Sequence, residues 1–434
     1  MFSSRKTAAP STSYNLTKSL RFRSSASAYL NRTAGTSTNQ SIATWSFWFK
    51  RGTLGTAQRL FEGWTGNSDT GNAEIEIESD NTLLIGGYST NWLQTSQLFR
   101  DPSAWYHIVV AFDTTQATSS NRIKLYVNGS QVTAFSTAAY PSQNSTFGLN
   151  NNSSALQIGR RRVNIVSDSF LDGYLTEVNF IDGQALTPSS FGSTNALTGV
   201  WQPAKYTGTY GTNGFYLKFT DTTSTSTLGT DYSGNSNTWT VNNISLTAGT
   251  TYDSMTDVPT LTSATVANYC VINPLFTPPS GWTASAITAG NLNAAYSTGT
   301  ISGSAASFCL TGLTGKYYWE ATLAAAPITI GLTDPTFTYG IYALNNTATS
   351  VATIRSDGSN VQTGLAAFAI GGVVGVAVDM SANTVQFYYN NSAYGTAVTL
   401  SATAQASQLF PIFTDYGSAA HYSINANFGQ QGFK

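Results

Sequence analysis

The chain has 434 residues, only 9% of them charged, and a formal net charge of -1. That balance offers no basic patch for nucleic acid and no electrostatic pull toward an anionic membrane, so neither is an expected partner. The length exceeds what one hydrophobic core usually serves and predicts two domains joined by a connector.

Aromatic residues make up 13% of the chain, the polar remainder is mostly Ser, Thr, Asn and Gly, and turn residues recur roughly every ten positions. Short strands packed as sandwiches are therefore expected, with no helical period of useful length. Residues 1–19 are Ser/Thr-rich and carry Arg5, Lys6 and Lys18, the composition of a flexible docking arm with those cations as its contacts. No apolar run follows them, so the segment does not read as a secretory signal, and no stretch approaches the roughly 20 apolar residues of a membrane span.

Strand signals begin at SLRFRSSASAYL and continue through ATWSFWFKRG, where Trp45, Phe47 and Phe49 alternate with Ser46, Trp48 and Lys50. RLFEGW follows, then AEIEIES. Alternation puts Glu74, Glu76 and Glu78 on one face of that strand and Ile75 and Ile77 on the other. Paired carboxylates are the machinery of glycoside hydrolysis. Same-face Cα neighbours sit about 6.6–6.8 Å apart, whereas the carboxyl groups of a retaining pair sit about 5–5.5 Å apart. Long side chains can close that difference, so catalysis is permitted without being implied, and a polar face turned to water or to an interface is the favoured reading.

TLLIGGY, WYHIVVAFD, RIKLYVNG and ALQIGR come next, separated by Gly, Asn and Ser clusters that read as turns. Trp64 lies beside the polar turn GWTGNSD, and Tyr88 and Trp92 lie in GGYSTNWLQTSQ. Rings in such turns stack on the apolar faces of sugars while neighbouring amides and hydroxyls bond the sugar oxygens, which makes these three residues the candidate glycan or receptor contacts. Arg160, Arg161 and Arg162 form a basic cluster that reads as solvated or paired with local acids. His107 and His421 are the only histidines, too few for a histidine metal site or a Ser/His/Asp hydrolase. His107 is expected to be a hydrogen-bonded structural residue. Cys270 and Cys309 lack metal spacing and are expected to be buried thiols.

Residues 201–265 contain one good strand, GFYLKFTD, inside a long polar passage, and read as the connector. From residue 266 a second sandwich begins. In GGVVGVAVDMSANTVQFYYNN, Val374, Val376 and Val378 face one way, as do Val385, Phe387 and Tyr389, and Asp379 to Asn383 supplies a turn, so the two runs should pair as a hairpin.

The order WYHIVVAFD, RIKLYVNGSQV, LDGYLTEVNFIDGQALTPSSFG resembles the laminin G-like members of the concanavalin A-like jelly rolls across about residues 20–200. GKYYWEATL, ITIGLTD, VGVAVD paired with VQFYYNN, and the closing NFG resemble the SPRY domain within 266–434. Between them, GFYLKF, LGTDYSGNSNTWT, NNISLTAG and YDSMTDVPT resemble tail-associated and other virion proteins of tailed bacteriophages. AEIEIES is similar to the Glu-x-Asp-x-Glu strand of laminarinase-type β-glucanases, with Glu76 where that pattern has Asp.

These resemblances imply an all-β chain of two antiparallel β-sandwiches, a concanavalin A-like jelly roll and then a SPRY-like sandwich. Calcium in related lectin domains would correspond to Asp113 and Asn121, but the 6–8 oxygen ligands calcium needs are not assembled, and no metal or cofactor is expected. SPRY loops commonly bind peptides, a property not carried over to the small Ala/Thr-rich loops here. The implied function is a non-catalytic virion protein, an external fibre, spike or tail-associated adhesin that meets host glycan or protein. Its partners would be other virion proteins, and its assembly a homo-oligomer, trimeric as fibres and spikes commonly are. The alternatives are a capsid decoration protein with no receptor and a virion-borne glycan hydrolase using Glu74 and Glu78.

Overall fold

The computed structural model describes residues 14–163, 166–296, 301–325, 328–346, 351–415 and 422–433. The chain divides into one unit spanning Pro10–Asn268 and another containing Tyr269–Lys434. Both are built of largely antiparallel sheets.

In the first unit the alternation around Trp45 decides the layout. The rings of Trp45, Phe47 and Phe49 leave strand Ile42–Arg51 on one face and are wholly buried. The Trp45 ring centroid lies 4.4 Å from that of Phe61 on the facing sheet, 4.8 Å from Phe180 and 5.5 Å from Phe215. Such aromatic pairs contribute about 0.5–1.5 kcal/mol beyond their area burial. Ile42–Arg51 is flanked in its sheet by Trp105–Asp113 and Gly173–Asp182. The facing sheet runs Phe135–Ala138, Asn91–Leu98, Thr82–Gly86, Asn72–Ile77, Gln58–Trp64, Ala155–Ile158, Tyr29–Thr33, Thr240–Asn242.

Residues 201–265, expected to be a connector, are part of this unit. Phe215–Leu217 pairs with Gly173–Asp182, Thr240–Asn242 with Tyr29–Thr33, and Ser254–Met255 with Ser19–Phe22, while Phe215 and Trp239 enter the core. The segment is fastened by carboxylates more than by apolar periodicity, which is why its texture read as a linker. Asp231 accepts hydrogen bonds from the amides of Tyr216, Ser233 and Asn237, each at 2.8 Å. Asp253 accepts from Nε of Arg21 at 3.0 Å and Nε of Arg23 at 2.8 Å. Asp257 accepts from Lys50 Nζ at 2.8 Å and from Trp105 Nε1 at 2.9 Å. A buried charge is tolerated only when partners replace its water, so the aspartates of LGTDYSGN and YDSMTDVPT are clamps.

Residues 14–19 are likewise fixed instead of forming a free arm. Leu16 is buried, its carbonyl accepting from Thr262 Oγ1 at 2.6 Å. The carbonyl of Lys18 accepts from Thr176 Oγ1 at 2.8 Å, and burial holds the Lys18 ammonium below the usual lysine range. Polar composition concealed these tertiary bonds. Arg5 and Lys6 lie outside the described residues.

The second unit contains two seven-stranded sheets among its described residues. The expected hairpin is present: Val374 pairs with Tyr389, Val376 with Phe387 and Val378 with Val385. Asp379 accepts from the amides of Ser381 and Ala382 at 3.0 Å, and Asn383 takes φ 55°, a left-handed conformation that Asn tolerates better than most residues. The five-residue helix Ala402–Ala406 begins where the Ser401 hydroxyl accepts from the Ala404 amide at 3.0 Å. Cys270 and Cys309 are half-buried thiols, more open than their apolar character suggested.

Candidate functional site

Strand Asn72–Ile77 divides its faces as alternation requires. Ile75 and Ile77 enter the core, and Glu74 and Glu76 point outward. The outward face is not wet, however. Register aligns Asn31, Gln157, Glu62, Glu74 and Gly86 in one row across five strands, and Gln157 and Glu62 in that row are almost fully buried, as are Arg59 and Glu76 beside it.

Arg59 organises the acids. Its Nη1 pairs with Glu74 and its Nη2 lies 2.9 Å from Glu76 Oε2. Glu62 accepts from Asn72 Nδ2 at 3.0 Å and from the Arg162 amide. Burial pushes the Glu76 carboxyl up to about 7 against the pull of Arg59, with Glu74 and Glu78 adding to the rise. Burial also raises Glu62 and Glu78. Burial works against the Arg59 cation, but Glu74, Glu76 and Glu62 together hold it above its ordinary range. Glu62 is sealed from solvent, Glu74 and Glu76 share one guanidinium, and Glu78, half-buried, follows the end of the strand. The arrangement places Glu74 and Glu76 on one buried guanidinium.

Aromatic side chains stand at one end of these strands, Trp64 closing Gln58–Trp64 and Tyr88 following Thr82–Gly86. Trp64 pairs in register with Asn72, two residues along from the Glu62–Glu74 pair. Trp64 is half-buried, its Nε1 donating to Asn67 Oδ1 at 3.3 Å. Tyr88 is 45% exposed. The turns that carry them are tied by Asp69, which accepts from the Ser89 amide at 2.7 Å and from the hydroxyl of Thr90 at 2.5 Å.

Trp92 does not join them. It is 1% exposed and edge-on to Phe112, with centroids 6.5 Å apart. An irregularity in the pairing between Ile85 and Gly86 turns it inward, and Gly87 gives it room, since a Cβ there would stand 2.9 Å from the indole. A ring in the core offers no face to a sugar. Arg59, Glu62 and Asp69 were not singled out by sequence: period two sets Arg59 and Glu62, three apart in RLFEGW, on opposite faces, and only the pairing irregularity between Arg59 and Phe61 brings them to one.

His107 is structural. Its Nδ1 accepts from Trp201 Nε1 at 2.9 Å, which leaves Nε2–H to donate to Ser46 Oγ at 2.9 Å. Burial pushes its pKa down to about 3. His421 lies outside the described residues. Arg160 stacks 3.4 Å over the Tyr29 ring and bonds Gln157, and Arg161 pairs with Asp168, its Nε 2.6 Å from Oδ1. Asp113 accepts from Thr115 and Gln116 within its own turn. Among the described residues no group of three or more His, Cys, Asp or Glu is placed to hold a metal.

The two facing sheets of the first unit make it a β-sandwich. Family comparison gives the particulars. Residues 24–190 match the model of the concanavalin A-like lectin/glucanases superfamily, in its laminin G form, and residues 316–431 match the SPRY domain. The chain therefore carries a laminin G-like, concanavalin A-like domain followed by a SPRY domain, domain types that are typically non-catalytic modules for binding carbohydrate or protein.

Among solved structures the chain is similar to a putative carbohydrate binding protein from Bacteroides ovatus, at 17% identity and TM-score 0.38, over 52% of this chain and 58% of that one. It is similar to the SPRY domain of human HERC1 at 18% identity and TM-score 0.27, over 32% and 91%. It is also similar to domains LG4-5 of the mouse laminin alpha1 chain at 10% identity and TM-score 0.32, over 98% and 92%. No curated protein matches the sequence.

Proposed function

We propose that this protein is a non-catalytic adhesin, an external subunit of a tailed-bacteriophage particle that contacts glycan on the host surface through the Trp64 and Tyr88 end of its first sandwich. The observation that carries the reading is the state of the acids. Glu74 and Glu76 are held on Arg59 and Glu62 is sealed in the sheet, while Trp64 and Tyr88 stand on neighbouring turns tied by Asp69. Support for the virion setting comes from GFYLKF, LGTDYSGNSNTWT, NNISLTAG and YDSMTDVPT, the motifs similar to tailed-phage virion proteins. Multiple copies on one particle would turn weak neutral contacts into firm attachment, and a trimer is the assembly proposed by analogy with fibres and spikes. Arg5 and Lys6 are the proposed docking contacts to other virion proteins, and the fixed Lys18 is set aside from that role.

The test is incubation of the purified chain with host surface polysaccharide. Retention on the polysaccharide that falls in Tyr88→Ala and Trp64→Ala, with no release of reducing ends, is the expected result. Release of reducing ends that disappears in Glu74→Gln would establish the hydrolase instead. Absence of any binding to host cells would leave the decoration reading.

A further inference from the structure

The second unit holds an aromatic cluster unlike its core. Phe337 sits in the turn that joins Thr329–Thr333 to Gly340–Asn346 and adopts φ 58°. A bulky side chain in the left-handed region is a true conformational outlier, and such strain persists only where the surroundings impose it, most often at ligand sites. Here Asp334 imposes it. Its carboxylate accepts from the amides of Thr338 and Tyr339, each at 2.8 Å, and from the Thr336 hydroxyl. Its backbone amide donates to the Tyr339 carbonyl at 2.9 Å, and its carbonyl accepts from the Phe337 amide at 3.0 Å.

The strained ring is not fully buried by this arrangement. Phe337 and Trp282 stack with centroids 4.7 Å apart and both are half-buried. Phe276 meets Phe337 edge-on at 6.1 Å, and Tyr339 is 39% exposed. The pair stands on strand Ser302–Ala305 at Gly303, where a Cβ would come 3.0 Å from Phe337 and 3.3 Å from Trp282. Asp334 is the only charged residue within 273–287, 301–306 and 334–341, and its oxygens are already engaged. Hydroxyls of Thr336 and Thr338 line the same turn, 2.9 Å apart.

We propose that Trp282 and Phe337, with Phe276 and Tyr339 beside them, form a second glycan site that receives a pyranose ring of a neutral saccharide. Asp334, Asp357 and Asp415 accept from the backbone amides of Tyr339, Gly340 and Ser302, and segments 273–287, 301–306 and 334–341 hold no basic residue, so an anionic ligand finds no counter-ion in them, and a rigid pair of rings rimmed by hydroxyls complements a sugar's C–H face and its hydroxyl edge. The inference rests on the glycan-contact reading above but concerns a different unit of the chain.

The experiment uses the full chain, calorimetric titration with neutral gluco-, galacto- and manno-oligosaccharides, and four proteins: wild type, Trp282→Ala, Phe337→Gly, and Trp64→Ala/Tyr88→Ala. Phe337→Gly removes the ring while relieving the backbone strain. The expected result is binding weakened about tenfold or more in both second-unit variants, with the melting temperature of Phe337→Gly unchanged or raised. Unchanged affinity in both variants would overturn the proposal, as would a Phe337→Gly melting temperature several degrees lower, which would make the ring a structural prop. Failure of wild type to bind any of these sugars would also overturn it. Loss confined to the Trp64→Ala/Tyr88→Ala protein would sink this site and leave the first-unit reading standing, and loss confined to the second-unit variants would do the reverse. Host-cell binding that survives periodate oxidation of surface glycans yet is lost in Phe337→Gly would assign the rings to a protein partner and refute the sugar.

Discussion

Removing Asp257 tests whether residues 201–268 are structural members of the first unit. The carboxylate is wholly buried and neutralises Lys50, itself wholly buried, at 2.8 Å, while also accepting from Trp105 Nε1. In Asp257→Ala the ammonium keeps the Asn268 side-chain oxygen at 2.8 Å but loses its counter-charge, and the indole N–H loses its acceptor. Breaking one side of a buried pair costs about 3–5 kcal/mol. In a domain of this size each kcal/mol moves the melting temperature by about 2–4 °C, so the first-unit transition should fall by roughly 6–20 °C. Thermal melts followed by tryptophan fluorescence read this directly. Replacing both partners, Lys50→Met with Asp257→Leu, should recover much of the loss, because an apolar pair of similar size leaves no stranded charge. A single variant melting within about 2 °C of wild type would refute the assignment of this segment to the fold.

Other outcomes follow from burial and charge. Phe387→Ala should cost about 3–5 kcal/mol, since the ring is wholly buried in its sandwich, and chemical denaturation should show the loss as a lowered midpoint. Trp92→Ala should lower the first unit's melting temperature, whereas Tyr88→Ala should leave it within about 2 °C; equal effects would contradict the core placement of Trp92. The carboxyls of Glu76 and Glu177 titrate near 7 in the fold, against an ordinary 4.5, chiefly because they are buried. The folded chain therefore holds protons that the unfolded chain has released, so this contribution to stability is full below about pH 4.5 and is lost as pH rises through about 7. Urea midpoints should fall across that window, and Glu177→Gln should flatten the slope. Midpoints that climb with pH there in wild type, or an unchanged slope in the variant, would show the carboxyl is not protonated in the fold.

Fold class was legible because alternation is a local property: Trp45, Phe47 and Phe49 declare a buried face whatever their partners, and Val374 to Tyr389 encode a hairpin within sixteen residues. The segment after residue 200 was not legible, because what fixes it is long-range. Asp253 meets Arg21 across 232 positions, and nothing near either residue announces the other. The candidate site was readable in part for the same reason. The outward side of AEIEIES followed from period two, but its burial depends on Arg59 from a neighbouring strand and on the Arg162 amide from another segment. Trp92 misled because its polar neighbours spoke for a surface turn, while a local slip in strand pairing and the missing side chain of Gly87 sent the ring inward. Glu177, held by the Tyr14 and Tyr216 hydroxyls, gave no sign of its burial.

The pairing of Ser19–Phe22 with Ser254–Met255 sets a clock on biosynthesis. At roughly 5–20 residues per second, something like 10–50 s separate the emergence of Arg21 from that of Asp253. Through that interval the early strand lacks its last hydrogen-bonded neighbour, and the cations meant for Asp253 and Asp257 have no counter-charge. A half-made chain in that condition is prone to pair with another copy. Slowing translation before these codons should raise the yield of aggregate, and shielding the nascent strand should lower it.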